Sequence, residues 1–212
     1  YFCVLLFVHG AATRGTFSLD WLSIGDAQAG LIVSGDWWRA LTALSLHADY
    51  AHLFSNMVAG AFLALVLSQI LGSGFAWFLI VLAGGLGNAV NAFFQASGHA
   101  AIGASTAVFG ALGLLAVMMT RYQRSFLRRG LRRWAPIAAG LMLLAFLGVE
   151  GDRIDVGGHI AGFAAGGLLG AGVLALGGPA TRVYGSAQYA FGAVALVLVA
   201  GAWFVALRGQ GL

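Results

Sequence analysis

A handful of polar side chains interrupts an otherwise apolar chain, and their types suggest acyl-transfer chemistry. They are His52 and Asn56, Asn88 and Asn91, Ser105 and His159. A serine hydroxyl within reach of a neutral imidazole is the minimum equipment for nucleophilic acyl transfer. The other requirement is donors aimed at the developing oxyanion, each typically worth about 10²–10³ in rate. The Asn56 amide, the His52 imidazole and the Ser105 backbone N–H are the candidates. His52 and Asn56 are four residues apart and share a helix face. Ser105 follows Gly103-Ala104, where glycine permits a tight backbone approach. The start of a helix there offers free N–H groups and positive dipole character. Gly158, Gly162, Gly166 and Gly170 flank His159 in a four-residue repeat, a stripe that lets another helix approach closely. If that helix is the one carrying Gly110 and Gly113, the imidazole reaches the serine. Asp155, one turn before His159, is expected at the surface, so the chemistry reads as a Ser–His dyad with no acid.

The elements that position these residues are set by composition. Of the 212 residues, 60% are hydrophobic and 8% are charged, and the mean hydropathy is +0.91. A soluble domain carries about 25% charged residues. Several runs reach the roughly 20 apolar residues that cross a bilayer. Apolar runs predict seven spans, at 1–10, 51–71, 75–96, 104–120, 134–149, 156–176 and 187–208. The architecture is an all-α polytopic helix bundle forming a single domain over 1–212. Residues 11–50, mixed aromatic and acidic, are too polar to span and are expected to lie at the membrane surface.

All eleven basic residues are arginine, and Arg121, Arg124, Arg128, Arg129, Arg132 and Arg133 share one loop. The positive-inside rule makes that loop cytoplasmic, rather than a nucleic-acid patch. Asp20, Asp26, Asp36 and Asp49, and then Glu150, Asp152 and Asp155, fall on the opposite side. With that orientation Ser105, His159 and the His52/Asn56 pair all lie in one shallow layer near the outer face. Polar groups at such depth are costly and so are functional candidates. Taken singly, the serine reads as a packing or capping residue, and the histidine as a proton path or a headgroup contact.

Asn88 and Asn91 read as interhelical hydrogen-bonding residues, and His9 and His99 as solvated histidines. Cys3, the single cysteine, excludes an intrachain disulfide. The opening run Tyr1–Val8 reads as the truncated end of a first span, not a signal peptide.

Trp38-Arg39, Thr42, His47-x4-His52-x3-Asn56, Gly103-Ala104-Ser105 and Gly158-His159-x2-Gly162-x3-Gly166 together resemble the rhomboid intramembrane serine proteases, in order across about 130 residues. The resemblance implies a six-helix core (about 1–177) with a seventh helix after it (about 187–208). It implies Ser105 as nucleophile and His159 as base, with His52, Asn56 and the Ser105 N–H as oxyanion donors. It gives His47 a structural role in a membrane-embedded loop that also holds Trp38 and Arg39, and it places Phe109 against the histidine ring. It implies substrates that are transmembrane proteins, contact with membrane lipids, no cofactor, and no nucleic-acid partner. The expected location is a bacterial inner membrane, with the site open to the outer side. One departure is Thr106, where the family's usual motif, Gly-x-Ser-Gly, has glycine. A β-branched residue there is expected to narrow the site or shift its N–H groups, affecting specificity and rate.

Three other functions compete. A rhomboid-like pseudoprotease would bind client helices without cutting, but such proteins usually lose the serine or histidine. A small transporter would need midplane polar groups and internal repeats. A metal site on His47, His52, His99 and His159 would need three ligands gathered together, and the spacing of His47 and His52 does not share a helix face.

Overall fold

The computed structural model describes residues 1–122, 155–176 and 182–209, with only the backbone of Arg121 and Tyr122. The expected span 134–149 lies outside the described residues, as do Glu150, Asp152 and the arginine loop beyond Arg121. Long helices are α1 (Phe2–Thr13), α5 (Tyr50–Leu71), α6 (Ser73–Ala92), α7 (Ser105–Tyr122), α8 (Val156–Leu176) and α9 (Ser186–Arg208). Between α1 and α5 lie three short α-helices, α2 (Trp21–Gly25), α3 (Ala29–Ser34) and α4 (Arg39–Thr42), and two 3-10 turns, Thr16–Ser18 and Ala43–Ser45. The chain is an all-α polytopic membrane bundle. Helices α5, α6, α8 and α9 are each long and apolar enough to cross a bilayer, while α1 and α7 are shorter apolar helices.

Local signals explain the boundaries. Asp49 caps α5 by accepting the His52 N–H at 2.8 Å. Gly72, at φ +87°, ends α5 and immediately starts α6, a turn that a side chain would strain. Gln188 then ties the start of α9 to that turn, accepting from Phe75 N at 3.1 Å and donating to Leu71 O at 3.2 Å.

The tightest packing is between α7 and α8. A methyl built on Gly162 would collide with the Thr106 carbonyl, one on Gly166 with the Gly110 carbonyl, and one on Gly113 with the Phe163 carbonyl. The glycine stripe therefore does face α7, and the backbones touch. In lipid there is no hydrophobic drive between helices, so van der Waals contact and hydrogen bonds must hold them. Leu44, Leu67, Leu71, Leu114 and Met118 fill the centre between α5, α6 and α7. Large apolar side chains point outward instead at Phe62, Leu168 and Tyr189, consistent with a lipid-facing surface.

Residues 11–50 fold into a compact unit of short helices and turns between α1 and α5. Arg39 is its hub, only 8% exposed. It donates to Asp26 Oδ1 at 2.7 Å and Asp36 Oδ2 at 3.2 Å, and to the carbonyls of Ser23 and Asp26. A two-residue strand β1 (Ala27–Gln28) pairs antiparallel with β2 (Ala100–Ala101), joining this unit to the loop before α7. Helix α9 packs on the other side, with Trp203 against Trp21 at 5.1 Å between rings.

Candidate active site

The loop entering α7 is pinned before the helix begins. Gly103 N–H donates to Ala43 O at 2.9 Å, and Ala104 N–H donates to His47 Nε2 at 3.3 Å. Ser105 follows as the first residue of α7, so its own N–H has no acceptor within the helix. Gly103 adopts φ +126°, a conformation that favours glycine. A methyl there would lie 2.7 Å from His52 Nε2 and 3.6 Å from Ser105 Oγ. The missing side chain is therefore the gap across which the His52 imidazole faces the serine.

His159 comes from α8. Its Nε2 lies 2.9 Å from Ser105 Oγ, and both residues are buried. The Phe109 ring stacks on the imidazole, with centroids 4.4 Å apart and planes 14° apart. The stack fixes the plane of the ring, and among the described residues the buried Nδ1 has no hydrogen-bond partner, acid or otherwise. For Nε2 to accept the serine proton, the imidazole proton must sit on Nδ1.

Asn56 is fully buried, and its Nδ2 donates to the His52 carbonyl at 2.9 Å. That bond fixes which end of the amide is nitrogen and leaves its second N–H for another acceptor. His47 and His52 stand ring to ring at 5.0 Å. Burial pushes the His47 imidazole down to about 3, so it is neutral and able to accept the Ala104 N–H. The structure thus brings Ser105, His159, His52, Asn56, His47, Gly103 and Phe109 to one end of the bundle. Gly162 and Gly166 set the α7–α8 spacing behind them. Trp38 packs in the core shared by α1, α2 and α9, while Arg39 works at a distance, within the 11–50 unit.

Two expectations need correcting. Asp155 is not a surface residue: its side chain is 10% exposed. It caps α8 by accepting Gly158 N–H at 2.9 Å and accepts the Asn91 amide at 2.8 Å. An aspartate just before a helix is a capping signal in the sequence, and only its buried partner on α6 was illegible there. His9 is not solvated either. It is 1% exposed, with its ring edge-on to Tyr50 at 4.7 Å. Asn88, as expected, bonds across elements, to Ala40 O at 2.9 Å. His99 sits 3.5 Å from Asp155, whereas His47 and His52 face each other. Among the described residues no group of three or more His, Cys, Asp or Glu is arranged to hold a metal.

Thr106 is also buried, and its side chain is enclosed by glycines. Methyls on Gly87 and Gly162 would come within 2.8 Å and 3.0 Å of its Cγ2, and one on Gly158 within 3.3 Å of its Oγ1. The extra bulk fills the junction of α6, α7 and α8.

Comparison with known proteins gives the family of the chain. The rhomboid domain family model matches residues 34–176. The chain is 33% identical to "Rhomboid protease GluP" of Bacillus subtilis over 176 residues, covering 81% of this chain and 32% of that protein. It is 29% identical to "Putative rhomboid protease YdcA" of the same organism, over 65% of this chain and 68% of that one. It is 30% identical to "RHOMBOID-like protein 7" of Arabidopsis thaliana, over 63% of this chain and 42% of that one. The chain therefore spans about a third of the GluP relative's length. The chain belongs to the rhomboid family, a family of intramembrane proteases that also includes inactive members.

Proposed function

We propose that this protein is an intramembrane serine endopeptidase that cuts transmembrane or juxtamembrane segments of other membrane proteins. The observation that carries the reading is the 2.9 Å contact between Ser105 Oγ and His159 Nε2 at the buried start of α7. In this reading Ser105 Oγ attacks the scissile carbonyl carbon and its proton passes to His159 Nε2. The oxyanion is met by the Ser105 N–H, the His52 imidazole and the free N–H of Asn56. The peptide C–N bond then breaks, and His159 returns the proton to the leaving amine. Water, deprotonated by the same imidazole, releases the acyl group from Ser105.

A peptide bond in a helix is hydrogen-bonded and shielded, so the substrate segment must unwind to be cut. Substrates with glycine or proline near the cut are therefore expected. The site lies on the side of the membrane opposite the arginine-rich loop, which is the outer side of a bacterial inner membrane by the positive-inside rule.

The test is cleavage of single-span substrates in liposomes by the wild type and by Ser105→Ala. The reading requires cleavage by the first and none by the second. Equal cleavage by both, or binding of the substrates with no cleavage, contradicts it; the second outcome favours a client-binding rhomboid-like protein.

A further inference from the structure

Helix α9 is hydrogen-bonded to the 43–47 segment, which in turn holds the loop before Ser105. Trp203 lies near the middle of its C-terminal half and is 7% exposed. Its indole is held against α2: it packs on Trp21, and a methyl on Gly25 would lie 2.5 Å from its ring. Its Nε1–H donates to Ser45 Oγ at 2.8 Å. An indole N–H is a donor only, so the serine hydroxyl must accept here, and its own proton goes to Thr42 O at 2.7 Å. Thr42 in turn donates to Gly25 O at 2.7 Å, closing the ring around the indole.

Ser45 stands two residues before His47. It also closes the Ala43–Ser45 turn, whose Ala43 carbonyl accepts the Gly103 N–H at 2.9 Å, while His47 Nε2 accepts the Ala104 N–H at 3.3 Å. The series therefore runs from Trp203 through Ser45 and the 43–47 segment to Gly103 and Ala104, the two residues before Ser105. We infer that Trp203 is a positioning residue for the nucleophile: its N–H sets the 43–47 turn, and that turn sets the N–H groups and Oγ at the start of α7. The inference rests on the reading of Ser105 as nucleophile only for its effect on rate. Its structural part, the coupling of Trp203 to Ala104, stands apart from that reading.

Trp203→Phe tests it, since it keeps the ring and removes the donor. The first readout is amide hydrogen exchange at 103–105 in the detergent-solubilised protein. Val199→Ala is the control, a buried change one turn away on the same helix that keeps the Trp203 donor. Trp203→Phe is expected to accelerate exchange at 103–105, Ser45→Ala to do the same, and the double variant to add nothing further. Val199→Ala lowers the melting temperature without that local change. The second readout is labelling of Ser105 by a fluorophosphonate. For Trp203→Phe the labelling rate and kcat fall about threefold to tenfold with KM unchanged, the scale of coupling carried by such networks. Unchanged exchange in Trp203→Phe, or additive effects in the double variant, overturns the inference. Labelling that is the same in the wild type and Ser105→Ala overturns the protease reading and leaves the exchange result to decide this one.

Discussion

The Thr106 carbonyl and Gly162 are in backbone contact where α7 crosses α8: a methyl on Gly162 would collide with that oxygen. The contact holds the helix of Ser105 against the helix of His159, and the dyad distance depends on it. Gly162→Ala is therefore expected to push the helices apart, lower the melting temperature and reduce cleavage by about 100-fold or more, the scale expected when reacting groups are misplaced by about an ångström. Adding Thr106→Gly does not rescue it, because the obstacle is backbone. Rescue by that second change would show that the threonine side chain, not the helix crossing, sets the spacing.

Thr106→Gly alone has a different outcome. It removes a buried side chain that fills space between Gly87, Gly158 and Gly162, and it adds a glycine to a helix. We expect it to fold with a lower melting temperature, a loss of about 2 kcal/mol. Cleavage by the folded protein stays within a few-fold of wild type, since the side chain is used in the helix junction. Measuring both on one preparation separates stability from rate.

Phe109→Leu removes the stacked ring that orients His159. With Nδ1 unpartnered, nothing else among the described residues is seen to fix the imidazole plane. Such stacking is worth about 0.5–1.5 kcal/mol, so kcat is expected to fall about threefold to tenfold with KM little changed. An equal change confined to KM would place Phe109 in substrate binding instead.

His47 gives a pH dependence with a definite sign. Its imidazole is held well below its ordinary value of 6.5, at about 3, chiefly by burial. The folded protein thus binds fewer protons here than the unfolded chain. The stability from this group is complete above about pH 6.5 and is lost as pH falls from there toward about 3. The melting temperature of the wild type should fall between about pH 7 and pH 4, and His47→Gln should be less stable at neutral pH but flatter over that range. Parallel curves for the two proteins would remove His47 as the cause.

Much of this was legible before the structure because membrane helices are read by length and charge. Ser105, His159, the candidate oxyanion donors and the glycine stripe could be placed from the order of spans and the arginine loop. Asp155 and His9 were misread for one reason. Both stand near helix ends, where a polar residue is usually solvated, and their burial depends on Asn91 and Tyr50 on other helices. The 11–50 unit was read only as a surface element because its helices span four to six residues, too short for any periodicity. The bond from Trp203 to Ser45 joins residues 158 apart in sequence, and nothing local marks it.

The central claim is that His159 activates Ser105. It is tested most directly by treating the reconstituted wild type, Ser105→Ala and His159→Ala with a fluorophosphonate and locating the adduct by peptide mass spectrometry. The account predicts one covalent adduct on Ser105 in the wild type and none in Ser105→Ala. It predicts labelling slower by about 100-fold or more in His159→Ala, because the hydroxyl then lacks its base. An adduct elsewhere, or labelling at an undiminished rate without His159, would contradict it.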